Sequence, residues 1–225
     1  MRLLPTGIAE YRTRRFGILF CLLVLVLVLP VAIDYGGLPT VSIEWLVAFS
    51  LAAHALGHEV RRHRVRDLIL VAIAVICRMV DDNYAAHTVA ATLSTMIIGA
   101  LVISATYEAL RFALRGRSVT SEQILAALCV YLLAGLFYAS LYWEVEAFLP
   151  GSFHEQGRPH LPGQFDLRTA TYLSYVTLST TGFGDITPVT YGTRSMVISE
   201  AILGQLYLAV LVARLTGASR QDESR

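Results

Sequence analysis

Thr180-Thr181-Gly182-Phe183-Gly184-Asp185 lies between two long apolar segments. Gly182 and Gly184, two residues apart, can take the left-handed backbone angles that other L-residues avoid. A strand built that way can turn successive carbonyls toward one axis while the residues between the glycines project their side chains away from it. A dehydrated monovalent cation needs such a cage of oxygens to replace its hydration shell. On this reading the ion-facing oxygens are the carbonyls of Thr180, Thr181, Gly182 and Phe183, with the hydroxyl of Thr180 at the base. The bland alternative is a glycine turn that happens to spell the string. Average residue frequencies would produce Gly-Phe-Gly-Asp in a chain this long only about a few times in a thousand.

The surroundings narrow the choice. Upstream, Tyr172 to Ser179 reads as a short amphipathic helix. The stretch from Leu167 to Thr181 is too short to cross a bilayer and too apolar for a surface loop, which predicts a re-entrant pore helix enclosed by protein. Downstream, Pro188 and Gly192 break the chain before the next apolar segment. With these features in place, the stretch from about Ser121 to Gly217 resembles the pore domain of tetrameric potassium channels: outer helix, pore helix, filter, inner helix. Thr177, the run Thr180 to Asp185, then Pro188, Val189, Thr190 and Arg194 fall at the spacing of prokaryotic members.

The resemblance implies an all-α integral membrane fold with six transmembrane helices, a re-entrant pore helix and a selectivity-filter loop. It implies an ion-binding filter of Thr180, Thr181, Gly182, Phe183 and Gly184, filter support from Val176, Thr177 and Asp185, and a gating hinge at Gly204. Potassium is then the permeant ion, with no cofactor. Three departures from the family pattern bear on filter rigidity. Phe183 replaces the commoner tyrosine, whose hydroxyl ties the filter to the pore helix. Val176 stands where a glutamate often bonds the filter aspartate, which leaves Asp185 without that partner. Tyr172 and Leu173 take the place of the usual aromatic pair.

Composition supports a membrane location independently. The chain has 225 residues, 55% hydrophobic and only 16% charged. Six apolar runs are long enough for about 30 Å of hydrocarbon: approximately 16–33, 41–58, 66–81, 86–110, 121–148 and 193–216. The third is interrupted by Arg78, and the second contains His54 and His58. All 18 basic residues are arginine, and they cluster before run one, between runs two and three, and after run four. The loops between are acidic or neutral, so the positive-inside rule places both termini in the cytoplasm and the Asp185 end of the filter outside. The absence of lysine suggests a high-GC bacterial genome, and hence a bacterial inner membrane. Cys21, Cys77 and Cys129 all fall in apolar runs, where no disulfide is expected.

The runs divide into modules. Residues 1–15 form a cytoplasmic N-terminal segment, 16–117 a four-helix membrane module, 118–217 a two-helix pore domain and 218–225 a short polar cytoplasmic tail. Thr120 with Gln123 three residues later predicts a capping box opening run five. A voltage sensor needs several arginines across its fourth span, because each charge contributes only about 2.3 kcal/mol per 100 mV. Run four contains none, so weak or absent voltage gating is expected, with the four-helix module scaffolding the pore. With so short a tail, a gating ligand is expected to act on the membrane part or to arrive with a separate regulatory partner.

One filter strand supplies a quarter of a ring, so the chain is expected to assemble with three further copies as a homotetramer. Glu200 lies inside run six, where it either tunes the pore or bonds the pore helix. His54 and His58, at i, i+4 spacing beside Glu59, could bind a metal, although the neighbouring arginines would repel a cation. His154 and His160 in the long loop before the pore helix could sense external pH, or the loop could be a solvated turret. Trp45, Tyr142 and Trp143 fit an aromatic interface belt. Two further functions stay open: a poorly selective monovalent cation channel, and a metal-dependent membrane enzyme or sensor using His54 and His58. The sequence carries no nucleotide or nucleic-acid motif.

Overall fold

The computed structural model describes residues 15–36, 61–81, 89–114, 120–160 and 164–223. In chain order the elements are α1 (Arg15–Gly36), α2 (Arg61–Asp81), α3 (Val89–Ala113), α4 (Ser121–Phe148), β1 (Phe153–Glu155), β2 (Arg158–Pro159), α5 (Leu167–Leu178), β3 (Ile186–Pro188) and α6 (Tyr191–Glu223). The apolar run at 41–58 falls outside the described residues. Among those described, three helices are long and apolar enough to cross a membrane: Thr92–Ala113, Ser121–Phe148 and Tyr191–Arg214. Phe16–Val28 is a shorter apolar helix.

Helix α4 opens as its sequence predicts. The Gln123 amide donates to Thr120 Oγ1 at 3.3 Å and the Thr120 amide to Gln123 Oε1 at 2.9 Å, which is a reciprocal capping box. Helix α6, by contrast, continues to Glu223, so most of the expected polar tail is helical.

Packing divides the chain into two compact units, and the division falls within α4 between Leu133 and Ala134. This differs from a boundary at 117/118, because the two halves of one long apolar helix serve different cores. In the first unit α1 buries Phe16, Leu19, Leu23 and Val26, a stripe at helical spacing. The Phe16 ring stacks on Phe112 of α3 at 4.7 Å, and the Cys129 thiol in the first half of α4 donates to the Phe16 carbonyl at 3.5 Å. Helices α2 and α3 meet where Ser94 Oγ donates to the carbonyl of the buried Ala74 at 3.1 Å, and Ala105 and Ala109 of α3 are buried as well.

The second unit is built around one cluster: Ala139 and Tyr142 from α4, Phe153 from β1, Phe165, Ala170 and Leu173 from α5 and the turn before it, and Ile186 from β3. Phe153 joins its layers, with its ring 5.2 Å from both Tyr142 and Phe165. Tyr142 is fully buried there, which corrects its assignment to an interface belt. Trp143 is partly buried against the same cluster. A three-stranded sheet in the order β2-β1-β3 lies over it.

Candidate functional site

The loop 179–185, expected from sequence to be a filter, hangs from the end of α5, and both ends of that helix are fixed by its own residues. At the start Asp166 is the N-cap, its carboxylate accepting from the Thr169 amide and hydroxyl, each at 2.8 Å. At the finish the chain turns back on the helix. The Ser179 amide donates to the Tyr175 carbonyl at 3.0 Å and the Thr180 amide to the Thr177 carbonyl at 2.9 Å. The Thr181 and Gly182 amides both donate to the Val176 carbonyl, at 3.0 and 3.2 Å. Val176 therefore serves the loop through its backbone, which the identity of its side chain does not reveal.

Three residues of the loop have positive φ: Thr180 at 58°, Gly182 at 55° and Gly184 at 76°. They alternate with Thr181 and Phe183, whose φ is negative, and such alternation turns successive peptide groups to the same side. A Cβ on Gly182 or Gly184 would meet nothing within 4 Å, so backbone angle, and not space, requires glycine there. The sequence identified the two glycines and missed Thr180, since nothing in a threonine signals a left-handed backbone. Thr180 to Gly184 are all exposed. Thr181 shares a hydrogen bond with Ser179, Oγ1 to Oγ at 2.9 Å.

Asp185 has a partner that the sequence reading did not supply. The Tyr172 hydroxyl donates to Asp185 Oδ2 at 2.6 Å. That bond holds the Asp185 carboxyl below its ordinary range, and the Ile186 amide acts in the same direction. The signal was present, because a tyrosine in the place of an aromatic pair still carries a donor. The Tyr172 ring also lies parallel to Phe183, 5° apart in plane at a centroid distance of 6.5 Å.

Beyond the filter, β3 pairs antiparallel with β1, bringing His154 opposite Thr187 and Glu155 opposite Ile186. The Gln156 amide donates to the Asp185 carbonyl at 2.8 Å and the Val189 amide to the Ser152 carbonyl at 2.9 Å. Glu146, near the end of α4, fixes the turn that carries β1: its carboxylate accepts from the amides of Gly151 at 2.7 Å and Phe153 at 2.9 Å. His160 Nδ1 lies 3.8 Å from Glu155 Oε2. Residues 153–159 thus form a hairpin bonded to the strand that follows Asp185.

Near the loop 179–185, three helices meet at close range. Gly204 of α6 sits against the last turn of α5, and a Cβ there would lie 2.3 Å from the Leu178 carbonyl oxygen. Its φ is not left-handed, so close approach is the visible reason for glycine at this position. Gly135 of α4 likewise makes room for Tyr175, whose ring a Cβ would approach to 2.6 Å. Glu200 is fully buried. It accepts from the Tyr142 hydroxyl of α4, and Ser174 Oγ of α5 lies 2.5 Å from its other oxygen. Thr177 is buried on the same helix. His54 and His58 lie outside the described residues. Among the described residues no group of three or more His, Cys, Asp or Glu side chains could hold a metal ion.

Residues 126–220 match a family model described as "Ion channel". Over 48 residues the chain is 48% identical to Protein LctB of Geobacillus stearothermophilus, a match that takes in 21% of this chain and 35% of that protein. The similarity therefore spans about a third of the curated relative's length. No solved structure matches. The helix, turned-back loop and second helix described above lie within residues 126–220, the stretch that is similar to that ion-channel family.

Proposed function

We propose that the chain is one subunit of a homotetrameric, potassium-selective channel that conducts passively across a bacterial inner membrane. The observation that carries this reading is the alternating left-handed backbone at Thr180, Gly182 and Gly184, with the intervening amides turned back onto Val176. Four such loops around a shared axis stack rings of carbonyl oxygens that replace a hydration shell. The ion-facing oxygens are those of Thr180, Thr181, Gly182 and Phe183, with Val176, Thr177 and Asp185 supporting them from behind. In this arrangement α5 is re-entrant, α4 is the outer helix and α6 lines the pore. The exposed apolar residues of α6, among them Ile202, Leu206 and Val210, meet other copies or lipid.

Arginine placement supports six membrane segments with both termini cytoplasmic. The first four scaffold the pore without sensing voltage, since α3 carries no arginine before Arg111. Opening moves α6 about the contact between Gly204 and Leu178, and a regulatory partner would act on the same helix.

A liposome flux assay tests the reading. Purified protein in potassium-loaded vesicles should release potassium against external sodium, and Gly182→Asp should abolish the flux. Equal permeation of sodium and potassium would replace the proposal with a poorly selective cation channel. That second reading draws on Phe183, whose ring is held by stacking on Tyr172 and offers no hydroxyl to the pore helix.

A further inference from the structure

Glu200, Tyr142 and Ser174 are each fully buried, and each belongs to a different helix of the pore unit. Among the described residues no arginine or histidine forms an ion pair with Glu200. A lone carboxylate at membrane depth is costly, so its protons can be counted. Ser174 Oγ has acceptors on both sides: Glu200 Oε1 at 2.5 Å and the Gly135 carbonyl at 2.7 Å. The Gly135 carbonyl can only accept, and a serine hydroxyl has one hydrogen. The Tyr142 hydroxyl donates to Glu200 Oε2.

With Glu200 ionised, Tyr142 and Ser174 supply one hydrogen too few for these contacts. With a proton on Oε1, every contact has its own: Glu200 donates to Ser174, Ser174 donates to Gly135, and Tyr142 donates to the carboxyl's other oxygen. The neutral acid therefore completes the network, and a buried network is worth keeping only when every member is satisfied. One residue earlier on α6, Ser199 donates to the Met196 carbonyl at 2.7 Å, which leaves Tyr138 of α4 to donate to Ser199 Oγ at 3.0 Å.

We propose that Glu200 carries its proton and acts as a positioning residue, clasping α4 through Tyr142 and α5 through Ser174 so that the helix feeding the filter keeps its place against α6. Ser174 lies two residues before Val176, the carbonyl on which the filter amides turn back, so a shift of α5 at Ser174 is passed directly to the loop. For its effect on selectivity the proposal rests on the potassium-channel reading above; the protonation state does not.

Two measurements test it together. Infrared spectra of wild-type protein minus Glu200→Gln should show the carbonyl stretch of a neutral carboxyl, and this band should shift in Tyr142→Phe, which removes its donor. In the liposome assay Glu200→Gln, which offers one donor and one acceptor in the same shape, should hold the potassium-to-sodium permeability ratio within about twofold of wild type. Glu200→Leu should lower that ratio at least about tenfold, the equilibrium equivalent of one lost buried hydrogen bond. Absence of the neutral-carboxyl band in wild type overturns the proposal, as does Glu200→Gln failing as badly as Glu200→Leu, or Glu200→Leu matching wild type. If wild-type vesicles do not discriminate between the ions, the potassium reading fails, and the band with its shift in Tyr142→Phe still decides the clasp.

Discussion

The two units of this chain hold their helices together by different means. Among the described residues of the first, α1 to α3 and the start of α4 bury apolar stripes and alanines, with polar contacts such as Ser94 to Ala74 and Arg66 to Asp67. In the second, carboxylates, phenols and hydroxyls are buried in connected sets: Glu200 with Tyr142 and Ser174, Glu146 with the amides of Gly151 and Phe153, and Thr193 with Ser152. Apolar packing fixes a helix only loosely along its axis, because neighbouring registers fill space nearly as well. A hydrogen bond fixes atoms, and an ion path needs atoms fixed. On the proposed channel reading, the polar density of the second unit serves to fix the oxygens of residues 180–184.

The largest break in that comparison comes from Gly182→Ala. Left-handed backbone costs an L-residue roughly 1–2 kcal/mol, and in the proposed tetramer four such copies would together lower potassium flux by more than about a hundredfold. Tracer uptake into liposomes measures it. Gly204→Ala should act by a different route, since its Cβ would meet the Leu178 carbonyl at 2.3 Å. Overpacking of this kind costs about 1–3 kcal/mol. A lowered melting temperature is expected, whereas a pure hinge glycine would leave the melting temperature unchanged and alter only gating.

A smaller effect separates the two supports of Asp185. Its carboxyl is held below the usual range by Tyr172, so the bond is fully present above the unfolded aspartate value and is lost as pH falls through the folded one. External acidification should leave wild-type flux unchanged down to about pH 3.9 and reduce it only below that, with the onset moving up to that value in Tyr172→Phe. The smallest effect belongs to the first unit. Ser94→Ala removes a single bond worth about 0.6 kcal/mol in a membrane setting and should slightly lower the melting temperature while leaving flux unchanged. A large loss of flux from Ser94→Ala would mean that the first unit also fixes atoms for the pore.

Much of the pore unit was legible from sequence because its constraints are local. Gly182 and Gly184 announce backbone angles, and Thr120 with Gln123 announces a helix start. The filter loop follows a short helix ending at Leu178, three residues before the predicted end at Thr181, because Thr180 is already left-handed. What stayed hidden is long-range. Tyr172 meets Asp185 across 13 residues, Ser174 meets Gly135 across 39, and Tyr142 meets Glu200 across 58. Sequence singled out Glu200 by its cost in an apolar helix, but the partners that offset the cost sit on other helices. Gly135 and Gly204 are likewise explained only by Tyr175 and Leu178. The division within α4 was hidden for a related reason, since the helix is apolar on both sides of Leu133 and its change of partner there leaves no mark on composition.

Helix α6 runs for 33 residues, from Tyr191 to Glu223. At 1.5 Å per residue that is about 50 Å, well beyond about 30 Å of hydrocarbon. From the contact at Gly204 to Glu223 the arm is about 28 Å, so a tilt of about 10° about that contact sweeps its far end through about 5 Å while displacing the fulcrum hardly at all. Such a rod is a mechanical amplifier: in the proposed channel, a modest torque on its distal turns would widen one end of the pore while the oxygens at the other end stay in register.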